Sequence, residues 1–441
     1  MTAPDDAALG HDTSGGHGTG GRDSATAGHR ATGRDFLIGR HRAIVRSGRS
    51  LAVGLRVTAE PGPGELSVAV EVAGLCGTDI QMLRGLRDDG ACVIGHEGLA
   101  RVVRAGPGTD IEPGTRVLVN PTHPHDPSFL LGHNVDGLFQ ERVLLPSAAV
   151  TGGMVLAVGE DELPEPKLAV LAEPLAVVRY ALETLRRFTP GTLVVVGDGT
   201  VGHLAVRAAR RWLGPARVVH VHHTAAGLAW SRQAASPADA LILADDLGRP
   251  GTPGGWAGDD AGTRAGGRAR AGAGRRTRAG TGDVVAVLLA TPRDATVPML
   301  DRVLAMGAGT AVVDLVGGVP PEARTPLLPG VDMAAVRAAN CGGIPAVPVV
   351  HETVTGAGRR VLLFGHRGVA NRHLTTAVRE LRAVPGRYRE LLTHESDLAG
   401  AVRHFRALAG SADRTIDGER LIKLAVHVGA SAPQEGNDHD S

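Results

Sequence analysis

The sequence predicts an α/β fold in which a compact, barrel-like β domain is joined to a doubly wound parallel-sheet domain. Three observations carry this. From residue 41 to about 150, short β-type segments (LAVGLRV, ELSVAVEVAG, GLARVVRAG, TRVLVN, QERVLLP) are divided by the turns PGPG, AGPG and EPG. Residues 192–222 then read strand, glycine turn, helix, strand (TLVVV, GDGTVG, HLAVRAARRWL, ARVVHVH), which is one βαβ unit. Further on, VVAVLLA and TAVVDLV flank the helical stretch ATVPMLDRVLAMG, an alternation that calls for a parallel sheet with helices on both faces.

In chain order, residues 1–40 are polar, rich in Gly, Ser and Thr and without apolar period. They are expected to form a disordered tail, and they lack the apolar core of a secretory signal. Residues 41–180 form the first part of the β domain. It ends in PEPKLAVLAEPLAVVRYALETLRRF, which turns helical and places Pro174 in a first turn, where a missing N–H costs little. The parallel-sheet domain takes residues 181–340. It is interrupted at 248–282 by a segment with 12 Gly and seven Arg against two Asp, expected to be a disordered insertion. Residues 341–428 return to the β domain through RRVLLFG, NRHLTTAVRELRAV, DLAGAVRHFRALA and RLIKLAV, and 429–441 form a flexible tail.

Composition narrows the function. Forty-seven Lys and Arg against 46 Asp and Glu leave a net charge of +1, without the basic excess of a nucleic-acid binder. The longest apolar stretch, Val284 to Ala290, is far short of the ~18 residues a membrane span needs. Three cysteines, Cys76, Cys92 and Cys341, make no disulfide scaffold, and the chain reads as a cytoplasmic protein with free thiols. Only two lysines occur, Lys167 and Lys423, a bias that reads as compositional rather than functional.

The turn Gly197-Asp198-Gly199-Thr200-Val201-Gly202 follows a Val-rich strand and opens a helix, the context in which a G-x-G-x-x-G pattern binds a dinucleotide. Gly197 permits the tight turn, Gly199 lets backbone N–H groups approach a pyrophosphate, and Gly202 allows close packing of helix on strand. The helix start at Thr200 and Val201 offers unpaired donors to phosphate. A dinucleotide site ordinarily has Asp or Glu at the end of the second strand, holding the ribose 2′-hydroxyl. Here that strand ends Val221-His222-His223, and His222 stands where the acid would be. With no carboxylate to repel a 2′-phosphate, and Arg232 further along, the cofactor is NAD or NADP.

Cys76-Gly77-Thr78-Asp79, Gly95-His96-Glu97 and Glu173-Pro174 supply thiolate, imidazole and carboxylate. A catalytic zinc takes three such ligands and keeps a fourth position open. Each residue alone is a weak signal, since a buried cysteine is most often a small hydrophobe. Together, on turns of a β domain that precedes a dinucleotide fold, they mark a site.

GLCGTDI, VIGHEGLARVV, LAEPLAV and VVVGDGTVGHLAV, in this order, resemble the medium-chain zinc-dependent alcohol and polyol dehydrogenases. RRVLLFGHRG and LLTHESDLAGAVRHF resemble that family's C-terminal catalytic segment. The Glu-Pro motif is similar to the sorbitol, threonine and sugar branch, and the HPHD/GHNVDG stretch looks like cyclitol dehydrogenases. The resemblance covers roughly residues 45–428, less the insertion. It implies a GroES-like β-barrel catalytic domain plus a Rossmann doubly wound parallel-sheet domain. It also implies that Cys76 and His96 bind one catalytic Zn²⁺, with either Glu97 or Glu173 as the carboxylate. Thr78 would bond the substrate oxygen and begin a proton relay, and Asp79 would support the site from behind. The family's usual homo-oligomer would form through an edge strand, for which TAVVDLV at 310–316 is the candidate.

Three departures qualify the resemblance. Gln81 replaces a His of the relay and cannot titrate. The stretch from Asn120 to His133 has no Cys where many members carry a four-cysteine zinc lobe, so that second zinc is not expected. His123, His125 and Asp126 are left there as loop residues, substrate contacts or a replacement metal site. The third departure is His222. The expected function is zinc-dependent hydride transfer between NAD(P) and a secondary alcohol of a polyol, sugar or cyclitol. The polar stretch PTHPHDPSFLLGHNVDGLFQERV favours a small polyhydroxylated substrate. The alternatives are a threonine- or aldose-type dehydrogenase of the same family, or a non-catalytic NAD(P)-binding module.

Overall fold

The computed structural model describes residues 37–247 and 284–429, apart from 127, 164, 307–308 and 412–413. The expected insertion lies outside the described residues, as do the expected tails except for 37–40, which open the first strand, and 429.

The chain begins with a hairpin, β1 (Leu37–Ser47) and β2 (Ser50–Ala59). It continues through β3 (Leu66–Gly74), α1 (Gly77–Leu83), β4 (Glu97–Ala105), β5 (Arg116–Val119), β6 (Arg142–Leu145), α2 (Ser147–Thr151) and β7 (Val155–Ala157). A short 3₁₀ turn, Pro166–Leu171, leads into α3 (Ala172–Arg186). Next come β8 (Thr192–Val196), α4 (Thr200–Trp212), β9 (Arg217–His222), α5 (Ala225–Gln233) and β10 (Ala240–Leu243). After these follow β11 (Val285–Leu289), α6 (Thr296–Ala305), β12 (Ala311–Asp314), α7 (Met333–Ala338), β13 (His351–Val354), β14 (Arg360–Phe364) and α8 (Asn371–Ala383). The chain closes with β15 (Leu392–Ser396), α9 (Leu398–Gly410), the small hairpin β16 (Thr415–Ile416) and β17 (Glu419–Arg420), and β18 (Lys423–His427). Among the described residues no helix is long and apolar enough to cross a membrane.

Two seven-stranded sheets result. The first runs β15-β18-β3-β4-β5-β7, with β6 on β3. One edge of β3 is shared, its start pairing with β6 and its end with β18. The second runs β10-β9-β8-β11-β12-β14-β13, parallel but for the β13–β14 pair. Its order reverses between β8 and β11, the switch point of a doubly wound sheet, where ligands bind beyond the carboxyl ends of the strands. Strands buried on both faces need no polar alternation. TLVVV and VAVLL are accordingly continuous apolar runs, with Leu193 to Val196 and Val285 to Leu289 at most 2% exposed.

Two expectations are corrected here. TAVVDLV is not an edge: β12 lies between β11 and β14, and the edge strands are β10 and β13. Residues 351–364 also stay in the parallel sheet, and α8 packs on α3, so strands rejoin the first sheet only from Leu392 rather than from 341. RRVLLFG carries the uninterrupted apolar run of a parallel strand, which sequence order alone did not assign to a sheet.

Helix α3 ties the two sheets together. Leu175, Val178, Leu182 and Leu185 are fully buried and share one core with Val72 and Leu99 of the first sheet and Val195, Ala286 and Leu288 of the second. Each such side chain contributes about 1.5–3 kcal/mol of burial. Glu173 and Pro174 sit in the first turn of this helix.

Candidate metal and dinucleotide site

The first group is built on two turns. Cys76 precedes α1, and its N–H donates to Asp79 Oδ2 at 2.9 Å, so the local turn fixes the cysteine. Gly95 has φ +97°, and a Cβ there would come within 2.6 Å of the Phe139 ring. That left-handed turn delivers His96 and Glu97 to the start of β4. Cys76, His96 and Glu97 thereby bring one ligand atom each within 4.8 Å of one another. His96 Nδ1 stands 3.9 Å from Asp79 Oδ1, and neither atom has a hydrogen-bond partner. Thr78 Oγ1 is also buried and unpartnered. Such orphaned atoms are costly unless something satisfies them. The thiolate–imidazole–carboxylate set is the one zinc takes, so these residues fit that ion.

Charge explains the rest. Burial would lower His96, but the Cys76 thiolate, then Asp79 and Glu97, push it up to about 10. Burial raises Asp79 against the charge of His96. Glu173 stands outside the ligand group yet within its field. Burial, then the negative Glu97, push it up to about 7.

Four neighbours are not marked by the sequence: Lys423, His133, Asp89 and Arg87. Lys423, fully buried on β18, forms an ion pair with Glu97 and donates to Leu75 O at 3.1 Å. His133 lays its ring 5.0 Å from His96 and its Nδ1 3.3 Å from Asp89 Oδ2. Burial, with the charges of His96 and Arg87, pushes His133 down to about 4 although Asp89 opposes this. Arg87 binds Asp89 at 2.7 Å. Lys423 stands out by composition alone: it is one of only two lysines in a chain that otherwise uses Arg. Removing one partner of a buried ion pair leaves the other uncompensated. Lys423→Met is therefore expected to cost the metal-free protein about 3–5 kcal/mol, read as a lower denaturant midpoint. An unchanged midpoint would show that Glu97 does not depend on it.

His123 and Asp126 serve their own turn. His123 Nδ1 accepts the N–H groups of His125 and Asp126, at 3.2 and 2.7 Å, and Asp126 accepts from Ser128. Asn120, by contrast, reaches across to Val369 O and Asn371.

The second group is the glycine turn between β8 and α4. Gly197 has φ +118°, and a Cβ there would meet Ala290 O of the neighbouring strand at 2.3 Å. A Cβ on Gly202 would meet Gly197 O at 1.8 Å, so helix and turn touch backbone to backbone. Gly199 is the N-cap of α4, with Thr200 and Val201 in its first turn. Thr200 Oγ1 donates to Ile422 O at 2.7 Å, so the returning chain lies on this helix start. Arg414 approaches Gly199 and lies in the field of Cys76, which links the two groups.

One cofactor residue is placed otherwise than expected. His222 is fully buried, with Nε2 2.7 Å from Ser231 Oγ and Nδ1 3.3 Å from Ile242 O, so its ring is spent inside the domain. Arg232 is exposed in the last turn of α5, roughly 10 Å along the helix from its start.

The β-rich segment and the fold are similar to those of zinc-type alcohol dehydrogenases. Residues 62–155 match the family model of the alcohol dehydrogenase GroES-like domain. A Haemophilus influenzae protein described as zinc-type alcohol dehydrogenase-like is 29% identical over 168 residues, covering 34% of this chain and 47% of its own length. A glucose 1-dehydrogenase of Thermoproteus tenax is 31% identical over 168 residues, covering 33% and 47%. The chain thus spans about half the length of the curated relatives it matches. A Sinorhizobium meliloti structure, titled a zinc-binding dehydrogenase and bound to NADP, superposes with a TM-score of 0.59 at 20% identity. That likeness covers 88% of this chain and 99% of the other, and it shows the fold.

Proposed function

We propose that the protein is a cytoplasmic zinc-dependent oxidoreductase that moves hydride between NAD(P) and a secondary alcohol of a polyol, sugar or cyclitol. The observation that carries this reading is the convergence of Cys76, His96 and Glu97 within 4.8 Å beside an unpartnered Thr78 hydroxyl. The zinc-type description of the H. influenzae relative and the NADP held by the S. meliloti structure are in keeping with it.

Cys76 and His96 hold the metal with one carboxylate, Glu97 or Glu173. Bound zinc supplies the Lewis acidity that lowers the pKa of an alcohol. Asp79 fixes Cys76 through its N–H and faces His96, which orients both ligands. Thr78 Oγ1 bonds the substrate hydroxyl and passes its proton on. Gln81 cannot titrate, so the proton leaves by water or a ribose hydroxyl. Gly199 and the start of α4 seat the pyrophosphate. The open edge β13, near the exposed Val347, Val349 and Val354, is the surface for a homo-oligomer.

The test is reduction of NAD⁺ and NADP⁺ by the zinc-loaded protein with inositols, sorbitol, glucose and threonine. Turnover with cyclitols or polyols at least tenfold above the others is expected. Preference for threonine or glucose would replace the substrate class with its sibling. Nucleotide binding without any turnover would leave a cofactor-binding module.

A further inference from the structure

The end of β9 lacks an acid, and His222, which stands there, is turned into the fold. A carboxylate reaches the same place from the other side. Asp198, the second residue of the glycine turn, is 8% exposed, and its Oδ2 is ion-paired with Arg420. That oxygen lies against the first turn of α5, where a Cβ on Gly227 would come within 1.8 Å of it. The carboxylate is close enough to His222 to act on its charge.

Arg420 of β17 spans the same opening. Its side chain is 7% exposed, with Nη2 2.9 Å from Asp198 Oδ2 and Nη1 3.5 Å from Thr224 Oγ1. Thr224 caps α5 by accepting the Gly227 N–H at 3.0 Å. Asp198, Gly227, Thr224 and Arg420 therefore meet between the glycine turn and the β9–α5 connection. In a doubly wound sheet this is where the adenosine ribose of a dinucleotide lies.

We propose that Asp198 is the ribose-binding acid of this chain and that its pairing with Arg420 makes the site select NAD over NADP. The inference rests on the dinucleotide-binding reading above and adds the cofactor's identity. An ionised carboxylate has about four lone-pair sites, so beside its pair with Arg420 it can take the 2′-hydroxyl, and its charge repels a 2′-phosphate. Arg420, the cation that would answer a phosphate, is held by that same carboxylate. Arg232, the other basic candidate, is at the far end of α5. The absence of a side chain at Gly227 is what leaves room for the Asp198 carboxylate there.

The test is equilibrium binding of NAD⁺ and NADP⁺ to the full-length, zinc-loaded protein by calorimetry, which needs no turnover. NAD⁺ is expected to bind at least tenfold tighter. Asp198→Asn should weaken NAD⁺ about tenfold or more and release Arg420, so that the preference moves to NADP⁺. Arg420→Gln added to that variant should abolish the gain. Equal or tighter binding of NADP⁺ by the wild type overturns the proposal, and this arm stands even where a variant fails to fold. An unchanged ratio in Asp198→Asn with unaltered melting overturns it too. If neither nucleotide binds the wild type, the dinucleotide reading of the glycine turn fails and takes the proposal with it.

Discussion

Cys76→Ala is expected to take the purified protein from one zinc per chain to none and to lower kcat by at least ~10³-fold. Lewis-acid polarisation by a metal is worth several kcal/mol of transition-state stabilisation, and each ~1.4 kcal/mol is tenfold in rate. The loss should be this complete because His96 and one carboxylate, Glu97 or Glu173, are two ligands where a catalytic zinc takes three. The fold should survive, since the backbone N–H of Cys76, not its side chain, anchors the turn to Asp79. Elemental analysis beside a melting curve checks both parts. A variant that keeps its zinc would remove Cys76 from the ligand set. Two zincs in the wild type would mean that a second group binds metal, with the His123 turn the first place to look.

Acid should unfold the parallel-sheet domain through its buried histidines. His203 and His220 are fully buried with rings 5.0 Å apart, and the His222 ring lies tilted 4.1 Å from that of His220. Burial, then the charge of His222, pushes His220 down to about 3, and burial, then the charge of His220, pushes His203 well below 6.5. His373, also buried, is pushed to about 3 for the same first reason. These rings are neutral in the folded chain, while in the unfolded chain they take a proton near pH 6.5. The unfolded state therefore binds more protons below pH 6.5. The stability is fully present above that pH and is lost as pH falls through the window from 6.5 toward 3. Each histidine adds a slope of about 1.4 kcal/mol per pH unit within it.

His203 gives the cleanest test because neither ring nitrogen has a hydrogen-bond partner. His203→Leu removes no bond and keeps a good helix former in α4. Urea unfolding between pH 6 and 5 should show a slope shallower by about 1.4 kcal/mol per pH unit, with stability at pH 7.5 undiminished. Identical slopes in the variant and the wild type would show that His203 does not carry this effect.

What was legible in the sequence was local. The glycine turn could be read because Gly197, Gly199 and Gly202 answer steric demands within six residues of chain, and Gly197 does adopt a positive φ. Cys76 and His96 could be read because each sits on a short turn whose residue types fit a metal. The β-type runs and the βαβ unit could be read because their periodicities are set within a single element.

Partnerships across the fold were not legible. Lys423 meets Glu97 from 326 residues away, and Arg420 meets Asp198 from 222. No local pattern encodes a pairing made when a returning strand, β18, docks beside β3. The strand-end rule pointed to His222, whereas the carboxylate in that region comes from inside the glycine motif itself. The chain by itself thus determined its strands, its turns and the residue types able to hold a metal and a dinucleotide. Tertiary structure alone decided which charges face one another, that 351–364 stays in the parallel sheet, and that His222 is buried. The physical reason is that propensity and period act over a few residues, while burial and ion pairing depend on which distant segments share a core.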